Sequence, residues 1–267
     1  MMSKRDFVTA ALAQAVALPL LSSATNAAAR STDDPAAYLH STRYLNFRHP
    51  RVRDAAAAIR PAGTTDRDVA RAVFAFVRDE IKFGFAGGFW NNTAADVLKD
   101  RRGYCNTKST LFVALMRARG IPARQVFVDI HTSVLDGIIS PGTPYVDHSY
   151  CEVFLDGAWR ATDAYIVDPT LFAVAQPRLE REGHLMGYGV HVTGSNTWDG
   201  IAPSFSQFNM LDERPISTQT FGVFEDVGDF YATAKDPWNR LNGIARTAFG
   251  LLAGGANDRT EALRRGG

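Results

Sequence analysis

Asp147-His148-Ser149-Tyr150-Cys151-Glu152-Val153-Phe154-Leu155-Asp156-Gly157-Ala158-Trp159-Arg160-Ala161-Thr162-Asp163 reads as one β-hairpin. Residues 147 to 155 form the outgoing strand, Asp156-Gly157 is a two-residue turn signal, and residues 158 to 163 return. With that turn, Leu155 faces Ala158, Tyr150 lies opposite Asp163 and His148 opposite Tyr165. His148 and Asp163 then share one face as diagonal neighbours, roughly 7 to 8 Å apart and closer at Cβ. A carboxylate in that position reaches the imidazole, fixes its tautomer and stabilises the imidazolium. Cys151 alternates onto the opposite face, a packing position from which a disulfide to Cys105 would require a twist or bulge.

Upstream of the hairpin the pattern is helical. Gly103-Tyr104-Cys105 opens a stretch whose Leu111, Phe112, Leu115 and Met116 fall on one stripe, and Gly120-Ile121-Pro122 ends it. Ala123 to Ile130 alternates as a strand with Val126, Val128 and Ile130 facing one way, and residues 131 to 146 form a long connection beside the site. Earlier still, Thr65 caps a helix bearing Val69, Val73, Phe76, Val77 and Ile81, with Phe74 on its flank, and Thr93 caps a short helix through Lys99. The Arg-rich stretch before Arg60 reads as one or two surface helices. Helices first and an antiparallel sheet after make an α+β fold, with the Cys105 helix packed on the sheet. Past Pro177 glycines break the pattern into short strands or loops, until Trp238 to Leu252 forms a closing helix. Gly254 to Gly267 reads as a frayed tail.

Cys105 lies in the first turn of its helix, where the positive end of the macrodipole and a nearby imidazolium favour the thiolate. A cysteine nucleophile, a histidine that moves protons and an aspartate that orients the histidine can cleave an amide through a thioacyl intermediate. Backbone N–H groups at the helix start supply oxyanion donors. Trp90 and Tyr104 are further oxyanion or groove candidates, and the Phe83 to Trp90 cluster reads equally as groove lining or core.

Gly103-Tyr104-Cys105 at a helix start, His148 leading into Glu152-Val153-Phe154-Leu155-Asp156-Gly157, Trp159 after the turn, and Asp163 resemble the core of the transglutaminase-like superfamily, in a bacterial exported form. The resemblance spans about residues 65–172. It implies a papain-like architecture and a triad of Cys105 as nucleophile, His148 as base and Asp163 as orienting residue. Two departures stand out: Asp163 is followed by Ala164, while an Asp-Pro-Thr triplet comes later at Asp168, and Asn106-Thr107 follows the cysteine where many members carry an acidic residue.

The chain has 267 residues, 46% hydrophobic, with 29 Lys and Arg against 28 Asp and Glu. This is a globular composition, and its near-neutral charge offers no basic field to hold nucleic acid. Two cysteines make no disulfide framework, His184, His191 and Asp199 lack metal-ligand spacing, and no phosphate-binding glycine motif appears, so no metal or cofactor is expected. Lys4 and Arg5, an apolar run from Phe7 to Leu21 and Ala27-Ala28-Ala29 read as an export signal over residues 1–29, giving a periplasmic or secreted protein; a first helix of the domain is the alternative. The run falls short of the roughly 20 residues of a permanent membrane anchor. Ser3-Lys4-Arg5-Asp6-Phe7-Val8 resembles the twin-arginine export motif with Lys in place of its first Arg. Residues 30–267 make one transglutaminase-like domain, with a core at 65–172 and an extension at 173–267.

The functional expectation is a cysteine-dependent amidase or peptidase acting on a protein, peptide or small amide. Acyl transfer to an amine uses the same intermediate and is the first alternative; a non-catalytic binding or scaffold module is the second.

Overall fold

The structure is a computed structural model that describes residues 34–209, 220–233 and 243–267. The export signal at 1–29 and the start of the helix expected from Trp238 lie outside these residues. Side-chain caps set the first helices. His49 accepts from the Arg51 N–H ahead of α1 (Pro50–Ala58), while Thr65 with Asp68 and Thr93 with Asp96 form capping boxes on α2 (Asp66–Glu80) and α3 (Ala94–Asp100). In α2, Phe74 is buried against Tyr165 and Trp198 while Phe76 sits at the rim, the reverse of the expected roles. Two short strands, β1 (Lys82–Phe83) and β2 (Arg102–Gly103), pair in parallel below the cysteine.

Helix α4 (Cys105–Ala118) runs through the middle of the fold, and every residue from Cys105 to Arg117 is buried. The single apolar stripe is there, but α1, α2 and α3 cover the sides that the sheet does not. Its polar residues therefore need partners inside the protein. Lys108 donates to the Ile81 carbonyl, Thr110 Oγ1 to Asn106 O at 2.9 Å, and Arg117 Nε to Ala123 O at 3.0 Å. Gly103 allows the tight entry, since a Cβ there would lie 2.7 Å from Thr107 Oγ1 and 3.0 Å from Lys108 Cγ.

The sheet comprises β3 (Ala123–His131), β4 (Tyr145–Leu155) and β5 (Ala158–Thr162) in antiparallel pairing. The hairpin register is the expected one: Leu155 pairs with Ala158 and Cys151 with Thr162. Asp156 and Gly157 take φ of 51° and 78°, the left-handed pair that a two-residue turn of type I′ needs. Pairing stops at Thr162, so Asp163 begins a turn instead of facing Tyr150 across the ladder.

The remaining elements are α5 (Pro169–Glu182), the hairpin of β6 (Met186–Gly187) and β7 (Val190–His191), β8 (Thr220–Phe224), α6 (Val227–Thr233) and α7 (Gly243–Arg264). Strand β8 adds to the free edge of β3, giving the order β5-β4-β3-β8, so β3 is central and buries Phe127 as well as Val126 and Val128. Two expectations are corrected here. The stretch past Pro177 does not turn at once to short strands or loops: Pro177 sits inside α5, which Asp168 caps and which runs to Glu182 before Gly183 ends it in the left-handed conformation. Nor is the C-terminus frayed: α7 runs to Arg264, which donates to Asp168 Oδ1 at 3.1 Å and to Phe83 O at 2.7 Å, while Asn257 bonds both backbone groups of Phe85. Among the described residues no helix is long and apolar enough to cross a membrane.

Burial lowers the Lys108 pKa to about 7. An unfolded lysine holds its proton up to about 10.4, so above pH 7 the unfolded chain binds more protons than the folded one and this group makes stability rise with pH. Between pH 7 and 8.5 the wild type is expected to gain about 1.5 kcal/mol relative to Lys108→Met. Urea unfolding of both proteins across that range measures it, and parallel pH profiles would contradict it.

Candidate active site

Helix α4 and strand β4 converge at one end of the sheet, where they place Cys105 and His148 on the wall of one cleft of about 630 Å³, a volume that includes space open to solvent. Its other walls are mostly aromatic and aliphatic: Phe83, Phe85 and Phe89 from the glycine-rich stretch, Tyr104, and Val134, Leu135 and Ile139 from the connection ahead of β4. Tyr104 stacks between Phe85 and Phe89, with ring centroids at 5.4 and 5.1 Å. Trp90 is not among the lining residues and packs instead on Tyr231 of α6 at 4.7 Å.

The imidazole of His148 is buried, and its Nε2 lies 3.1 Å from Asp163 Oδ2. This contact leaves Nδ1 as the nitrogen free to exchange a proton elsewhere. The second oxygen of Asp163 accepts from the Ser206 backbone N–H and from Ser206 Oγ at 3.1 Å. Ser206 belongs to the segment 204–208, which extends the edge of β5 through Ser204 and then crosses over Asp163. Phe208 in the same segment meets the His148 ring edge-on at 5.3 Å. Asp163 and His148 are 0% and 1% exposed, so the segment keeps water away from the pair. The alternative carboxylate, Asp168, is occupied elsewhere: it caps α5 through the Leu171 N–H, accepts from the Phe83 N–H and pairs with Arg264 at 2.5 Å.

The helix start does not leave Cys105 acidic. Burial pushes its thiol well up, the Asp147 carboxylate adds to that, and the N–H groups of Ser149 and Asn106 pull the other way without prevailing. The resting group is therefore a thiol, whose Sγ lies 3.6 Å from Asn106 Oδ1, and any thiolate must arise by proton transfer. Asn106 Nδ2 in turn donates to Asp147 Oδ2 at 2.6 Å and to Tyr231 OH at 2.7 Å, and Tyr231 OH donates to Asp147 Oδ2 at 2.8 Å. An acidic residue at 106 would face Asp147 with like charge, which gives the neutral amide here its physical reason.

Sequence reasoning missed Ser206, Phe208, Asp147 and Tyr231. All lie within or beyond the hairpin, but their roles depend on contacts that no local period encodes. The one available signal was the pair of aromatics, Phe205 and Phe208, flanking Ser206 shortly after Pro203. Cys151 is buried and reduced, with Tyr165 OH donating to its Sγ at 3.0 Å. His184 pairs with Glu182 at the surface, His191 bonds Thr193, and Asp199 caps a turn through the Ile201 N–H. Among the described residues no three His, Cys, Asp or Glu side chains gather as a metal site.

Comparison with solved structures finds a candidate cysteine protease from Cytophaga hutchinsonii, 20% identical at a TM-score of 0.41, with 52% of this chain and 45% of that one covered. A candidate protease from Parabacteroides distasonis is 12% identical at a TM-score of 0.31, with 48% of this chain and 24% of that one covered. The chain thus spans less than half the length of either. No curated protein matches it. The family model described as the transglutaminase-like superfamily matches residues 53–164. That stretch, which carries Cys105, His148 and Asp163, is similar to the transglutaminase-like superfamily.

Proposed function

We propose that this chain is an exported cysteine-dependent amidase or peptidase with Cys105, His148 and Asp163 as its triad. The observation that carries the reading is the buried 3.1 Å contact between His148 Nε2 and Asp163 Oδ2, on a residue that shares the wall of one apolar cleft with the Cys105 thiol. In the proposed cycle the Cys105 proton passes to His148 Nδ1 and the sulfur attacks the amide carbonyl. Backbone N–H groups at the start of α4, which have no partner within the helix, face the developing oxyanion. The imidazolium then protonates the leaving amine as the C–N bond breaks, leaving a thioester on Cys105. His148 next takes a proton from water, whose oxygen attacks the thioester, and returns the proton to the sulfur as the acid leaves. The mostly apolar cleft supports this assignment by limiting competing solvent and strengthening the charges it holds.

Alkylation of Cys105 by iodoacetamide, with the modified peptide identified by mass, is expected to slow by roughly 10²-fold or more in His148→Ala at pH 7, the scale of a lost general base. Equal rates in wild type and variant would favour a binding module over an enzyme. With p-nitrophenyl acetate as a probe, the wild type is expected to release nitrophenol in a burst and to carry an acetyl group on Cys105. Turnover unaffected by an added amine marks hydrolysis, whereas an amide product marks transfer. For Ser206→Ala, loss of one donor to a buried carboxylate is expected to cost about 1.5 kcal/mol in urea unfolding; an unchanged midpoint would contradict the role given to that hydroxyl.

A further inference from the structure

Asp147 is the one acidic side chain on the wall of the cleft among the described residues, and no lysine or arginine lines that wall. It precedes His148 in β4 and is held rigidly. Asn106 Nδ2 and Tyr231 OH both donate to its Oδ2, and they bond each other at 2.7 Å. Tyr231 is itself braced by Trp90 at 4.7 Å. No side chain among the described residues donates to Oδ1. The network consists of donors to Asp147, so it is built for the carboxylate form. A single amide side chain separates this carboxylate from the nucleophile, because Asn106 meets Asp147 with its nitrogen and Cys105 with its oxygen.

Resting on the reading of Cys105 as nucleophile, we infer that Asp147 selects substrates carrying an ammonium group next to the scissile carbonyl, with an apolar group filling the rest of the cleft. An α-ammonium lies two bonds from its own carbonyl carbon, a separation suited to a carboxylate one side chain away from the sulfur. Beside Asp147 the lining includes His148 and Gln207, neither of them an anion, and the walls of Phe83, Phe85, Phe89, Ile139 and Val146 are apolar, so Asp147 is the anionic partner the cleft offers to a cation. A carboxylate set against such walls without a cation is costly, and a bound ammonium offsets that cost. The same cation relieves the thiol. Burial raises the Asp147 carboxyl, and its negative charge raises Cys105, so neutralising it makes the thiolate easier to form once the matching substrate is in place. Neutral and anionic amides gain no such help. The titratable groups facing Asp147 are Cys105 from α4, Tyr231 from α6, His148 beside it in β4 and Asp129, its register partner on β3, whose like charge adds to the advantage of a bound cation; a competing role for the carboxylate is to stabilise the His148 imidazolium for every substrate alike.

Charge-matched thiol reagents separate these cases. The rates at which aminoethyl, methyl and sulfonatoethyl methanethiosulfonates modify Cys105 are measured at pH 7 in the full chain, each relative to its rate with free glutathione. Wild type is expected to favour the cationic over the neutral reagent by roughly tenfold and to disfavour the anionic one. Asp147→Asn, which keeps the shape and can still accept from Asn106 and Tyr231, is expected to lose the preference and to react faster with the neutral reagent. No cationic preference in wild type overturns the inference whether or not the variant folds. A preference that survives in Asp147→Asn overturns it as well, and so does an equal slowing of all three reagents, which would mark the imidazolium role. His148→Ala in the same assay keeps the two readings apart: a neutral-reagent rate independent of His148 sinks the triad, whereas a His148-dependent rate without charge preference sinks only the selection by Asp147.

Discussion

A helix that carries Asn106, Thr107, Lys108, Ser109 and Thr110 in its first two turns is buried on all sides, and the fold is organised around satisfying it. Each polar group taken from water needs a partner fixed in place. Those partners come from every layer: Ile81 after α2 receives Lys108, Tyr165 after β5 receives Ser109, Asp147 on β4 receives Asn106, and His40 ahead of α1 receives Arg117. The thiol of Cys105 emerges at the end of this helix that reaches the cleft. Its position is therefore set by the whole interior, not by a loop.

Two carboxylates five residues apart illustrate how the same constraint divides labour. Asp163 is turned toward His148 and closed off by Ser206, while Asp168 holds β1, α5 and α7 together through Phe83, Leu171 and Arg264. Both are buried with several donors each. What separates them is the type of donor: an imidazole that can move a proton in one case, a guanidinium and backbone amides that cannot in the other. Asp147 forms a third case, a partly buried carboxylate held by an amide and a phenol and open to the cleft.

Much of this was legible along the chain. The Asp156-Gly157 turn sets the register of β4 and β5, the threonine caps start α2 and α3, and the cysteine stands at its helix start, because turns, caps and short-range periods are local interactions. Reading failed where a local rule was overruled. The glycine-punctuated stretch past Pro177 looked like short strands or loops, yet α5 holds the proline in its interior and runs to Glu182 between a cap at Asp168 and a left-handed stop at Gly183. The polar C-terminal stretch looked unable to fold, yet Asn257 and Arg264 dock it to β1 and α5. The thiol looked acidic from its helix start and a nearby imidazolium, but burial and Asp147 push its pKa up.

The sequence by itself determined the α+β order, the hairpin register and the helix start at Cys105, since each follows from neighbours a few positions apart. Only the tertiary structure decided that β8 pairs beyond β3, that Ser206 and Phe208 close over the His148 and Asp163 pair, and that Asn106, Asp147 and Tyr231 form one network beside the thiol. Those contacts join residues separated by tens to more than a hundred positions. They are chosen by which buried polar groups and apolar faces remain to be matched once the local elements have formed, and no spacing along the chain records that choice.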